Sequence, residues 1–211
     1  MRKTPRLLAA GLTVLGTLVL QPASATAQET GKSHALFNGK DLSGWVTPDD
    51  KEIFSVEDGE IVGRTREGQL KKNEFLVTEK PYRNFVLKAK VKYKDGNSGI
   101  QIRSKRAADG AVSGPQADIA EGYWGLLYEE RGRGILERYD EQKAKELVRP
   151  GDWNEFVITF KGKHLKVELN GTCVIDREDE KFDDEGIIAL QTHAGPPMEV
   201  RFKDIEITEL D

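Results

Sequence analysis

The chain has 211 residues, with 36 acidic against 32 basic side chains and a formal net charge of −4. An acidic chain has no electrostatic reason to seek nucleic acid or anionic lipid, both of which are held by basic patches. Cys173 is the one cysteine, which excludes an intrachain disulfide and leaves stability to burial and sheet pairing.

Arg2, Lys3 and Arg6 open the chain, an apolar run from Leu7 to Leu20 follows, and Ala25-Thr26-Ala27 ends it. Charge, a short apolar stretch and a small-x-small site make a cleavable secretory signal over residues 1–27. The run is shorter than the roughly 20 apolar residues that span a bilayer, and no cysteine lies near the site to accept a lipid. The expected mature protein starts near Gln28, is secreted or periplasmic, and has no membrane attachment. Without its three basic leader residues its net charge is about −7. Residues 28–34 are polar and read as a flexible leader. Residues 35–211 read as a single domain, because no linker, low-complexity segment or repeat interrupts them.

Within that domain the dominant signal is alternation. Phe85, Leu87, Ala89, Val91 and Tyr93 share one strand face and Lys88, Lys90, Lys92 and Lys94 the other; a helix would mix the two sets. Phe156, Ile158 and Phe160 repeat the pattern, as do Leu165, Val167 and Leu169. Asn170-Gly171 then turns the chain into Cys173-Val174-Ile175, since both turn residues tolerate positive φ. Asp58-Gly59 and Asp95-Gly96 are further turn signals. Residues 139–148 predict one short helix. Val200 and Phe202 share a face, and Ile205 and Ile207 continue with shifted parity, which predicts a bulge at Lys203-Asp204. Trp45 and Trp153 sit beside apolar strand neighbours and are expected in the core. Many short strands with one polar face each predict an all-β, two-sheet antiparallel sandwich.

Three strands carry a polar pair opposite their core face: Gln101 with Arg103, Gln116 with Asp118, and Gln191 with His193. Each pair could be an ordinary solvated face. The lysines at 88–94 show what such a face looks like, whereas Gln, Arg, Asp and His are bidentate or proton-transferring groups. If the three strands are neighbours, their pairs line one groove suited to a sugar. Residues 121–134 pack aromatics, acids, arginines and four glycines together. Read as a binding loop, Trp124 or Tyr128 stacks on a pyranose and Glu129, Glu130 and Arg131 supply polar contacts. The alternative is a glycine-rich connection whose aromatics enter the core.

Several chemistries find no support. P-loop, dinucleotide and Gly-x-Ser-x-Gly signatures are absent. His164 and His193 have no zinc spacing, and His34 falls in the leader, so no metal site is read and no cofactor is assigned. No strand carries a Glu-x-Asp-x-Glu set, so the closely spaced carboxylates of ordinary glycoside hydrolysis are not evident.

Leu36-Phe37-Asn38-Gly39-Lys40-Asp41-Leu42-Ser43-Gly44-Trp45 resembles the opening of the 3-keto-disaccharide hydrolase domain, a concanavalin A-like jelly roll of exported bacterial proteins. Asp58-Gly59-Glu60-Ile61-Val62-Gly63, Tyr82-Arg83-Asn84-Phe85, Asn97-Ser98-Gly99-Ile100 and Trp153-Asn154 continue the match in order. So do Leu169-Asn170-Gly171, Leu190-Gln191-Thr192-His193 and Val200-Arg201-Phe202-Lys203-Asp204-Ile205. One strand departs: many relatives carry Glu-x-Gln-x-x-Asp where this chain reads Gln116-Ala117-Asp118-Ile119-Ala120-Glu121.

The resemblance implies cleavage of 3-keto-disaccharides or 3-keto-glycosides. A base removes the hydrogen beside the ketone, the enolate expels the glycosidic oxygen, and water adds. Implied roles are His193 or Asp118 as base, Arg103 as ketone stabiliser, and Glu121 or Glu129 as acid. Gln101, Gln116 and Gln191, with Trp124, Tyr128 and Arg131, would hold the carbohydrate substrate. A non-catalytic carbohydrate-binding module of the same fold is the alternative, and a structural surface protein a third reading.

Overall fold

The structure, a computed structural model, describes residues 31–211; the expected signal segment lies outside the described residues. The strands in chain order are β1 (Lys32–Ala35), β2 (Trp45–Val46), β3 (Phe54–Glu57), β4 (Glu60–Thr65), β5 (Glu74–Thr78), β6 (Phe85–Asp95), β7 (Ser98–Arg106) and β8 (Val112–Ile119). They continue with β9 (Leu126–Glu130), β10 (Gly134–Arg138), β11 (Asn154–Lys161), β12 (His164–Leu169), β13 (Thr172–Glu178), β14 (Ile187–Thr192) and β15 (Met198–Glu209). The helix α1 (Glu141–Leu147) lies within the segment expected to be helical, and the Asp140 carboxylate caps it by accepting from the Lys143 N–H.

Two antiparallel sheets result, as expected. The first runs β13-β12-β11-β6-β15-β4-β3, with β1 added beside β15; the second runs β10-β9-β8-β7-β14-β5-β2. Their inner faces close one core. Leu87, Ala89 and Val91 of β6 and Phe156, Ile158 and Phe160 of β11 meet Ile100, Ile102, Ile119 and Leu127 of the second sheet in one buried cluster. The period of two therefore reports burial in these strands, and the lysines of β6 stay on the outer face.

Turn chemistry sets register. Asn170 and Gly171 adopt φ of 49° and 82°, the two-residue turn that joins β12 to β13. Asp204 has a φ of 50°, and the register of β15 against β6 shifts between Lys203 and Glu206, the bulge that the parity change predicts.

Two expectations change. Lys32–His34, assigned to the flexible leader, pair together with Ala35 along the end of β15, and His34 packs its ring 6.4 Å from Tyr82. Trp45 is core, at 5% exposure, but Trp153 is not. It lies half-buried on the outside of the first sheet, with the Lys92 and Lys203 ammonium groups 4.6 and 4.2 Å from its ring centroid.

Candidate functional site

Strands β9, β8, β7 and β14 are neighbours, so Gln101, the Gln116–Asp118 pair and the Gln191–His193 pair do come together, and Arg103 does not. Gln116 pairs with Gln101 on one side and with Tyr128 on the other. Asp118 pairs with Gly99 across the same strands. Gln116, Asp118, Tyr128, Gln191 and His193 line a cavity of about 460 Å³ on the outer face of the second sheet. Asn73, Asn97 and Glu130 complete its polar lining, and Tyr123, Leu126 and Ile135 form an apolar wall.

The floor is a connected hydrogen-bond network. Ser104 Oγ donates to Gln101 Oε1 at 2.6 Å, and Gln101 Nε2 donates to Gln116 Oε1 at 2.8 Å. Gln116 Nε2 donates to Asp118 Oδ1 at 2.6 Å and reaches Gln191 Oε1 at 3.4 Å. Gln191 Nε2 in turn donates to Glu130 Oε2 at 3.3 Å. Gln101 thus supports the site from beneath and does not line it. Gly99 makes the network possible. A Cβ at that position would lie 2.3 Å from Gln116 Cδ and 2.5 Å from its Cγ, so the Gln116 chain lies where any other residue would put its side chain.

Asp118 is 5% exposed, and burial pushes its carboxyl up to about 7, with the nearby Glu130 charge adding to the rise. The Gln116 amide pulls the other way and does not cancel the effect of burial. This leaves a carboxyl that can gain or lose a proton near neutrality, the property asked of a general acid or base. His193 is exposed, and its Nδ1 lies 2.6 Å from the Ala194 carbonyl. A carbonyl only accepts, so Nδ1 carries a proton, and in the neutral ring Nε2 keeps a free lone pair.

Arg103 is not in the cavity. Its φ of +47° sits within a register break of β7 between Gln101 and Lys105, and the bulge reverses the direction the alternation implies. The guanidinium is fully buried at the other side of the sheet. It donates to the carbonyls of Arg83, Gly162 (2.6 Å), Asp183 (3.1 Å) and Phe160 (3.4 Å), and to Asn84 Oδ1 (3.0 Å). Its role is to tie loops together.

The 121–134 segment is also corrected in detail. Trp124 belongs to the core, stacked on Phe156 with ring centroids 6.0 Å apart and edge-on to Tyr93, so the core alternative holds for this residue. Glu121 is exposed in the turn after β8 and does not line the cavity. Glu129 shares a strand face with Leu127, away from the groove, where Arg133 Nη2 donates to it at 2.7 Å. Its neighbour Glu130 faces the groove instead. The period-two rule applied from buried Leu127 separates these two acids. Arg131 lies outside the cavity, at the β9–β10 turn, 4.0 Å from Asp109, and lines an adjoining depression with Lys71 and Lys72. Asn73 and Asn97 sit at strand ends where no alternation marks them, and Tyr123 and Ile135 read as ordinary apolar residues.

Among the described residues, no group of three or more His, Cys, Asp or Glu side chains is placed to hold a metal ion. No helix there is long and apolar enough to cross a membrane.

A jelly-roll sandwich with an amide-and-carboxylate groove on one sheet belongs to the class of carbohydrate-handling β-sandwiches. The chain is a member of the 3-keto-alpha-glucoside-1,2-lyase-like domain family, whose model matches residues 32–208. A candidate glycosyl hydrolase of Parabacteroides distasonis ATCC 8503 is 26% identical, with a TM-score of 0.63 over 86% of this chain and 94% of that one. The carbohydrate binding module CBM66 of Bacillus subtilis is 17% identical, with a TM-score of 0.60 over 79% and 96% of the two chains. A Bacillus licheniformis beta-glucanase is 12% identical, with a TM-score of 0.57 over 86% and 100%. The last two likenesses show the fold. No curated protein matches the sequence. The protein is carbohydrate-related and hydrolase-like in family.

Proposed function

We propose that the protein cleaves the glycosidic bond of 3-keto-glycosides by elimination and hydration, with Asp118 as the base. One observation carries this reading: a buried carboxyl, held near neutrality, on the floor of a sugar-sized cavity in a chain of this family. Ionised Asp118 takes the hydrogen from the carbon next to the ketone. The enolate reforms the ketone as the glycosidic carbon–oxygen bond breaks, and water then adds across the new double bond. His193, through the free Nε2 lone pair of its neutral ring, activates that water.

No Lys or Arg lines the cavity, so neutral donors stabilise the enolate oxygen. The Asn73 side chain accepts from the Ala194 N–H through Oδ1, which leaves its amide hydrogens for a ligand. Gln116 and Gln191 set the carboxylates. Export to the periplasm or medium is part of the proposal, resting on the leader residues 1–27.

The test is turnover of a 3-keto-disaccharide against the unoxidised sugar. Wild type should cleave only the keto form, and Asp118→Asn should lower kcat by about 100-fold, a typical loss for a proton-transfer group. Equal turnover by Asp118→Asn would remove Asp118 from the role. A non-catalytic binding module is the second reading, favoured by the fold shared with CBM66; it requires sugar binding with no turnover of any keto-sugar.

A further inference from the structure

Two large hydrophobic side chains are exposed among the described residues, Tyr123 at 44% and Ile135 at 51%. Both line the cavity that holds Asp118. Water-exposed apolar side chains gathered at one functional cavity mark a binding surface.

Their position divides the cavity in two. Ile135 pairs with Tyr128 and Tyr128 with Gln116, so the β9–β10 side of the groove is built from Ile135, Tyr128 and Leu126, with Tyr123 from the turn before β9. The Arg138 guanidinium lies 5.8 Å from the Tyr123 ring centroid and helps to fix that ring. The opposite side, on β14 and the strand ends, offers Gln191, His193, Asn73 and Asn97. Sugar hydroxyls find amide and imidazole partners on that second side. Against Ile135 and Leu126 they would lose water and gain no hydrogen bond.

We propose that this apolar wall receives the leaving group, and that the preferred leaving group is a flat aromatic alcohol and not a second sugar. The proposal rests on the elimination reading above. Deprotonation next to the ketone, return of the electron pair to form the carbon–carbon double bond, and rupture of the glycosidic bond release an aryloxide. Water then supplies hydroxyl to the sugar carbon and its one proton to one product, and the proton taken by Asp118 passes to the other, so no oxidant or reductant is needed. The wall fits this departure, since Glu121 and Glu129 lie off the cavity and Glu130 accepts from Gln191. A phenolic oxygen, with a pKa of about 10 as in tyrosine, leaves without a carboxylic acid to protonate it.

Binding of unoxidised phenyl glucoside and of an unoxidised glucose disaccharide is compared by calorimetry for wild type, Tyr123→Ser and Ile135→Ser. The kcat/KM of the two 3-keto forms is measured in parallel. Wild type should bind the phenyl glucoside about tenfold more tightly, the scale of one good aromatic contact. Each variant should cut that ratio several-fold, and the kcat/KM ratio should fall with it through KM. Equal wild-type binding of the two sugars, or ratios unchanged in both variants, overturns the proposal. If neither keto-sugar is cleaved while the aryl preference in binding persists and falls in the variants, the elimination reading fails and the assignment of the wall to an aromatic group stands. Cleavage of both without preference has the opposite meaning.

Discussion

Asp118 is neutral at mildly acidic pH in the folded protein because its carboxyl has left water, and the Gln116 amide and the Arg138 charge do not offset that burial. In the unfolded chain it returns to the ordinary value of 3.8. Between these values the folded state holds a proton that the unfolded state has released. The resulting stability is complete below about pH 4 and is lost as pH rises through about 7. At about 1.4 kcal/mol per unit, a rise of about three units sets an upper scale of about 4 kcal/mol. Asparagine at 118 accepts the same bond from Gln116 and cannot ionise, so Asp118→Asn should remove this loss. Urea unfolding at pH 5 and pH 8 measures it: the variant should gain on wild type by a few kcal/mol at the higher pH. A constant gap between the two proteins would mean that Asp118 titrates as a solvated carboxyl. The same titration governs chemistry, and kcat/KM should rise with pH through about 7 as the base ionises.

At the scale of elements, the strands were readable where alternation is unbroken. Leu87, Ala89 and Val91 against Lys88 and Lys90 leave no other reading, and the same holds for β11 and β12. The groove was readable in part, because Gln116, Asp118, Gln191 and His193 lie on polar faces that adjacency brings together. Three features left no mark in the pattern. The bulge at Arg103 preserves apparent parity in the sequence while reversing direction in space. Trp124 fits a loop or a core equally well until Phe156 is placed beneath it. Gly99 reads as a strand glycine of no consequence, yet the Gln116 side chain occupies its missing Cβ space. Gly99→Ala should push Gln116 off Asp118 and Gln191, at a cost of about 1–3 kcal/mol for overpacking and a broken buried network. Turnover should fall about tenfold or more while the fold persists. Thermal unfolding and keto-sugar turnover read the two effects separately, and full activity in the variant would show that the amide network is dispensable.

For the whole molecule, the question is what holds two twisted sheets together without a disulfide. The shared core does most of it, and Arg103 adds a polar tie at one end. It starts on β7 in the second sheet and reaches Phe160 and Gly162, at the end of β11 in the first. It also holds the Arg83-Asn84 approach to β6 and the loop at Asp183. The guanidinium lies 3.8 Å from the Phe160 ring centroid. Burial lowers its pKa to about 10, so it remains charged at neutral pH. A buried cation satisfied by four carbonyls and one amide is sustained only while all of them stay in place, and a lysine cannot replace it. Lysine has three donors at one point, where this site uses a planar fork to reach five acceptors. Removing part of such a network leaves desolvated carbonyls and a poorly held charge, a loss of about 3–5 kcal/mol. For a domain of this size that is a fall in Tm of about 10 °C. Arg103→Lys should therefore unfold well below wild type, and keto-sugar turnover by the fraction still folded should change little. A Tm within about 2 °C of wild type, together with lost turnover, would instead return Arg103 to the reaction site.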